Sequence, residues 1–266
     1  TIACLGQVLH VVWEDNRSDN NLELFYKRST DDGVTWGTDT RLTINNATSV
    51  QPSVAASDSV VHIVWQENRD GNWEVYYKRS TDIGNSWSND VRLTSNSSTS
   101  AYPTVTVFNS QVHIVWYDVR DGNPEIYYKR STDNGLSWSS DYRLTNNSVE
   151  SYYATISVTG SIVHVIWEDM RDGNYEIYYK RSTDAGLNWS ADARLTNNSS
   201  ASQFSSIVST VSCVHIVWQD NRDGNWETYY KQSTNSGSDW NNDVRLTNNS
   251  SASVNPSVSY SLNAVF

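Results

Sequence analysis

Short stretches in which β-branched and aromatic residues alternate with polar ones return along the chain in the same order every 51 residues. The second stretch of this kind reads Pro52-Ser53-Val54-Ala55, then Val61-His62-Ile63-Val64-Trp65, then Glu74-Val75-Tyr76-Tyr77-Lys78-Arg79-Ser80, then Asp90-Val91-Arg92-Leu93-Thr94. Period-two alternation and β-branched content predict four strands, A to D, and no ten-residue stretch carries the 3.6-residue period of a helix. The pattern therefore predicts an all-β chain with essentially no helix.

A repeat of roughly 40–50 residues made of short strands is the signature of a β-propeller blade. The units run about 1–47, 48–98, 99–149, 150–201 and 202–253, within one propeller domain over 1–266, and 254–266 opens a sixth. The expected fold is thus a propeller of four-stranded antiparallel blades, five complete plus a partial sixth, closing as a five- or six-bladed ring. The surplus piece, Asn255 to Phe266, reads as one strand and stops where each earlier unit has its His.

The connections carry the turn chemistry. Strands B and C are joined by Asn68-Arg69-Asp70-Gly71-Asn72, where Asp-Gly-Asn supplies the positive-φ positions of a tight hairpin. Strands C and D are joined by Ser80-Thr81-Asp82-Ile83-Gly84-Asn85-Ser86-Trp87, an octet that recurs at Ser29 to Trp36, Ser131 to Trp138, Ser182 to Trp189 and, degraded, Ser233 to Trp240. Ser-x-Asp-x-Gly-x-x-Trp resembles the Asp-box, or BNR repeat, of sialidases and other secreted propellers, and five copies in register cover almost the whole chain. Physically it is a hairpin device: the carboxylate accepts bonds from the turn's own N–H groups, Gly allows φ > 0, and Trp plugs the space between strands. The resemblance implies that the boxes lie away from any active site, so Asp31, Asp82, Asp133 and Asp184 read as structural, with Asn235 replacing the acid in the fifth. It also implies a six-bladed ring, whereas the number of complete repeats points to five.

A net charge of −11 with a pI near 4.8 and a mean hydropathy of −0.60 argues against nucleic acid as a partner and against a membrane span. The longest apolar runs, such as Val60 to Trp65, are strand-sized. The chain opens at Thr1 without Met or an apolar leader, so a targeting segment is expected to be absent from this sequence. Cys4 and Cys213 occupy unmatched positions without metal spacing and read as two buried free thiols, a closing disulfide being the alternative. Neither a metal nor a cofactor is expected.

Catalysis needs side chains that differ from blade to blade, since acid, nucleophile and anion clamp require different environments. The basic residues do not differ. His10, His62, His113, His164 and His215 share one strand-B position, Lys27, Lys78, Lys129, Lys180 and Lys231 one strand-C position, and the fourteen arginines three columns. The sialidase resemblance implies three arginines from different blades around a substrate carboxylate, the first in an Arg-Ile-Pro motif, with a Tyr–Glu nucleophile pair and an Asp acid/base. No Arg-Ile-Pro occurs, and strand A carries no arginine. The loop column Arg17, Arg69, Arg120, Arg171 and Arg222 is the one source of such a triad; it reads either as ligand contacts or as braces held by neighbouring carboxylates. Asp58, Glu150, Asp32 and Asp239 are the irregular carboxylates, and Glu150 alone falls in a D–A loop. Glu150 with Tyr153 is the pair to test for glycoside hydrolysis.

Variation concentrates at the start of strand A, in Gln51, Tyr102, Tyr153, Phe204 and Asn255. Strand A lines a propeller's channel, so these side chains are expected to converge near its mouth. A second variable column, Leu22, Trp73, Pro124, Tyr175 and Trp226, offers flat faces on which sugars stack. Asn-x-Ser/Thr triplets, among them Asn16, Asn46, Asn96 and Asn146, suit an extracellular or cell-surface protein. The sequence therefore predicts a non-catalytic module recognising glycans or glycoproteins. A sialidase-like exo-glycosidase is the alternative, and a structural subunit that self-associates through its terminal strand is a third reading.

Overall fold

In a computed structural model of the chain, residues 1–17, 21–261 and 264–265 are described. Ser18 of the triplet at Asn16, and Leu262, Asn263 and Phe266 of the terminal strand, lie outside them. All regular structure among these residues is β: five four-stranded antiparallel sheets, each meandering in chain order. The first holds β1 (Ile2–Leu5), β2 (Val8–Asp15), β3 (Glu23–Ser29) and β4 (Thr40–Arg41), the second β5 (Ser49–Ser57), β6 (Val60–Glu67), β7 (Glu74–Ser80) and β8 (Val91–Arg92). The third holds β9 (Ser100–Phe108), β10 (Gln111–Asp118), β11 (Glu125–Ser131) and β12 (Tyr142–Arg143), the fourth β13 (Ser151–Thr159), β14 (Ile162–Asp169), β15 (Glu176–Ser182) and β16 (Ala193–Arg194). The fifth holds β17 (Ser202–Ser209), β18 (Val214–Asp220), β19 (Glu227–Ser233) and β20 (Val244–Arg245). The chain divides into two compact units, Thr1–Gly122 with Tyr127–Arg143, and Asn123–Ile126 with Leu144–Phe266.

The predicted D strands shrink to two residues. Tyr76 pairs with Arg92 and Tyr77 with Val91, after which the Arg92 side chain donates to the Thr94 carbonyl (2.7 Å) and the chain turns away. Such short outer strands limit edge pairing. Strands β21 (Tyr260–Ser261) and β22 (Ala264–Val265) form a separate two-stranded pair. The continuous strand expected from Asn255 is therefore absent over its first residues, which lack a strand-B partner. That segment nevertheless follows the fifth sheet, with Asn255 N–H on Gln219 Oε1 (2.9 Å) and Val258 N–H on Ser206 Oγ (3.2 Å).

Within each unit, apolar faces pack sheet on sheet. In the first, Val12, Leu24, Tyr26 and Leu42 meet Val54, Val61, Ile63 and Trp65. In the second, Ile166, Ile177, Tyr179 and Leu195 meet Ile207, Val214, Ile216 and Trp218. Every sheet also buries its histidine against a tyrosine hydroxyl, His62 Nδ1 lying 2.7 Å from Tyr77 Oη and His164 Nδ1 2.7 Å from Tyr179 Oη. Both predicted buried thiols are free, but Cys4 is exposed and Cys213 half-buried, a correction that follows from their places at the outer ends of an A–B hairpin.

The Asp-box turns match the chemistry read from their letters. Asp82 Oδ1 accepts from the N–H of Ser86 (2.8 Å) and of Asn85 (3.1 Å), and Asn235 Oδ1 accepts from Asp239 N–H (2.8 Å). Trp87 packs edge-on against Tyr26 of the preceding sheet at 4.9 Å, so the indole fills a gap between sheets rather than between strands. Gly84 has φ +81°, and a Cβ there would lie 1.9 Å from Tyr26 Oη. Ile83, before it, sits at φ +57°, a conformation that costs a β-branched residue about 1–2 kcal/mol. Ile83→Asn, which copies Asn134 of the next box, is expected to raise stability by about 1 kcal/mol, read as a higher urea midpoint.

Candidate functional site

The start of strand A is a β-bulge in the second to fifth sheets. Register slips between Val50 and Ser53, Ala101 and Thr104, Tyr152 and Thr155, and Gln203 and Ser206. The residue at each bulge takes a left-handed conformation although it is not glycine, Gln51 at φ 55°, Tyr102 at 52°, Tyr153 at 49° and Phe204 at 50°, and Asn255, at the matching position of the terminal segment, does so at 54°. Non-glycine residues held there cost of order 1 kcal/mol each.

A strand-B side chain of the preceding sheet holds four of these residues. Glu14 accepts the Gln51 N–H (2.5 Å), Gln66 Oε1 the Tyr102 N–H (2.8 Å), Glu168 Oε1 the Phe204 N–H (2.7 Å) and Gln219 Oε1 the Asn255 N–H (2.9 Å). The column Glu14, Gln66, Tyr117, Glu168 and Gln219 escaped the search for irregular carboxylates. The signal was a Glu/Gln/Tyr exchange at one strand position, masked because each residue reads as an ordinary polar member of an alternating strand.

In the second unit the bulges gather rings. Tyr153 stacks on Phe204 with centroids 5.7 Å apart and meets Tyr152 at 5.6 Å, while Phe204 is 43% exposed. The Tyr175 carbonyl receives the N–H of Ser202 (2.8 Å), which ties the second variable column to the start of β17. Burial raises the Tyr175 hydroxyl, with the nearby charges of Glu150 and Glu168 adding to the rise, and Tyr153 lies in the ring stack. Burial pushes Glu168 up to about 7, against the lowering from its bonds to Phe204 and Gln203. In the first unit Tyr102 stacks on Tyr117 at 5.7 Å. Trp73 and Trp226 are half-buried, and their carbonyls accept the N–H groups of Ser100 (2.8 Å) and Ser253 (2.7 Å). Gln51 and Asn255 add no ring.

The loop arginines are committed as braces. Arg171 donates to both carboxylate oxygens of Asp169 (2.8 and 2.6 Å) and to Asp192 (2.8 Å), and lies 4.3 Å over the Tyr178 ring. Arg120 repeats this with Asp118 and Asp141, Arg222 with Asp220 and Asp243, and Arg69 with Glu67 and Asp90. Each guanidinium so engaged has its donors directed at protein carboxylates.

No family model matches the sequence, and no curated protein does. Solved structures resemble the fold. The intramolecular trans-sialidase from Ruminococcus gnavus aligns with a TM-score of 0.67 at 12% identity, over 98% of this chain and 85% of that one. The NanB sialidase of Streptococcus pneumoniae aligns at 0.66 and 12%, over 99% and 63%, and a Trypanosoma rangeli sialidase at 0.60 and 18%, over 88% and 45%. The chain spans about half to two-thirds of the length of the latter two. With five four-stranded antiparallel sheets and these likenesses, the chain has the β-propeller fold that these sialidases also have.

Proposed function

We propose that the protein recognises uncharged carbohydrate, outside the cell or at its surface, on the aromatic step of Tyr152, Tyr153 and Phe204, with Tyr175 and Glu150 at its edge. The observation that carries this reading is the exposed Phe204 ring stacked on Tyr153, both on strained bulges. Apolar faces of sugar rings stack on such surfaces, and neighbouring hydroxyl and carboxylate groups hydrogen-bond their rims. The engaged arginines weigh against an acidic sugar, whose carboxylate needs a free cation.

Calorimetric titration with neutral and sialylated oligosaccharides tests this. Phe204→Ala and Tyr153→Ala are each expected to weaken binding about tenfold or more, the effect of losing about 1.4 kcal/mol of stacking. Binding untouched by both substitutions, or confined to sialylated ligands, would sink the reading. A second reading, an exo-glycosidase, draws support from Glu168 near neutrality and from the closeness of Glu150 to Tyr152 and Tyr175, whose hydroxyls its charge raises. Turnover of a fluorogenic glycoside, lost in Glu150→Gln, would favour it over recognition.

A further inference from the structure

Two positions break the repeat around one backbone bond. The strand-B group that holds the bulge is a neutral amide in Gln66 and Gln219, which accept the bulge N–H at 2.8 and 2.9 Å with no charge to bury. At the same position Glu168 is completely buried and accepts the Phe204 N–H at 2.7 Å, with Gln203 Nε2 donating at 3.3 Å. Glu14, the other carboxylate of the column, is only half-buried. Next to Phe204, where sister units carry Pro52, Pro103, Ala154 and Pro256, stands Ser205. Its hydroxyl is buried and has no partner among the described residues.

Among the described residues none pairs a positive charge with Glu168. Tyr152 lies opposite it in register on β13 and Ile177 on β15, while Gln203 and Phe204 face it from β17. Tyr175, on the β14–β15 connection, feels the fields of both Glu168 and Glu150. The adjacent Asp169 is bound to Arg171. A lone buried carboxylate is costly where an amide makes the same bond, and such a departure from local consistency is what a titrating role requires.

The two protonation states differ in what they ask of the bulge. As an acid, Glu168 keeps a carbonyl oxygen on the Phe204 N–H, as Gln66 does for Tyr102, and its O–H donates to the Gln203 amide oxygen once that amide turns. As a carboxylate, it demands solvation that its two donors, the Phe204 N–H and the Gln203 amide, supply only in part. We propose that Glu168 is a proton-operated latch on the Phe204 bulge: one solvent proton on its carboxyl fixes the Tyr153–Phe204 step in its sugar-binding form, and loss of that proton releases the step. This rests on the carbohydrate reading above and gives it a regulation, with occupancy on the acid side of neutrality and release on the alkaline side.

Hydrogen exchange of the 202–206 segment tests the latch without a ligand. After correction for intrinsic exchange, wild-type protection is expected to fall about tenfold between about pH 6 and about pH 8.5, and to stay level in Glu168→Gln. The reverse variant, Gln66→Glu, should confer the same fall on the Tyr102 segment, so the test survives poor folding of either protein. Affinity for a neutral oligosaccharide should drop about tenfold over the same range in wild type and less than about twofold in Glu168→Gln. Protection independent of pH in wild type overturns the latch whatever binds. Protection that follows pH with no oligosaccharide bound at about pH 6 supports the proton-operated bulge and overturns the recognition reading instead.

Discussion

Acidification from about pH 7.5 to about pH 4.5 is expected to remove most of the folding stability of this protein, through its buried histidines. Burial, with a nearby arginine as the smaller cause, holds His62 down to about 3 and His113 and His164 down to about 4. His10 is held near 4 in the same way. Each of the four donates or accepts at Nδ1 with a tyrosine hydroxyl, and Nε2 of His10, His62 and His113 has no partner among the described residues. A proton taken there would bury an uncompensated charge.

A folded-state pKa below the unfolded value of about 6.5 means that the unfolded chain binds more protons, so stability is whole above 6.5 and is lost as pH falls toward 4. A depression of about two units corresponds to roughly 3 kcal/mol per histidine, and four of them sum to the order of 10 kcal/mol, comparable with the total for a domain. Glu168 works against this trend. Its folded value, raised to about 7, contributes stability that is present below the unfolded value and lost as pH rises through 7. The net slope of stability on pH near 5 should therefore correspond to an uptake of two to three protons on unfolding. The Asp-box carboxylates, near 2, act only in more acid solution. Urea unfolding at stepped pH gives the slope directly, and a midpoint that is level from 7.5 to 4.5 would refute the assignment.

Asp169→Ala is expected to cost about 3–5 kcal/mol, because it strands a cation and several donors together. The Asp169 carboxylate is fully buried and receives Trp167 Nε1 (2.8 Å), Ser151 Oγ (3.1 Å) and two Arg171 nitrogens. Its pKa lies below the ordinary value despite burial, the bonds from Arg171 and Trp167 outweighing desolvation. Asp192→Ala removes the other partner of the same guanidinium and the partner of Lys180 Nζ (2.9 Å), but at a side chain 21% exposed, where water replaces part of the bonds; a smaller loss of about 1 kcal/mol is expected. Unfolding midpoints of the two variants compare them directly. Equal losses would show that Asp169 is no more than a surface partner and that the brace is not the element organising the loop.

Much of this was legible in letters. The loop arginines read either as ligand contacts or as braces, the latter because a carboxylate two residues before an arginine on one strand face can chelate it, and Arg171 and Asp169 stand in that relation. The Asp-box turns were legible for the same reason: all their bonds are local, as in Asp82 with Ser86. Burial of cysteines was misjudged, since Cys4 reads as a small apolar residue and only the edge position of β1 exposes it. The stack of Tyr153 on Phe204 was not legible either, because it joins residues of two successive repeats.

Sequence alone determined the all-β class, the four-stranded unit, its period and its turn chemistry, because each depends on contacts within about fifty residues that the repeat prints five times. Tertiary structure alone decided which identical-looking polar residues became different. Gln66, Tyr117, Glu168 and Gln219 occupy one strand position, yet the ring stack and the buried, uncompensated carboxyl come together around Phe204. Dielectric surroundings are set by whatever the neighbouring sheet lays over a side chain, and that contact has no trace in the residue's own repeat.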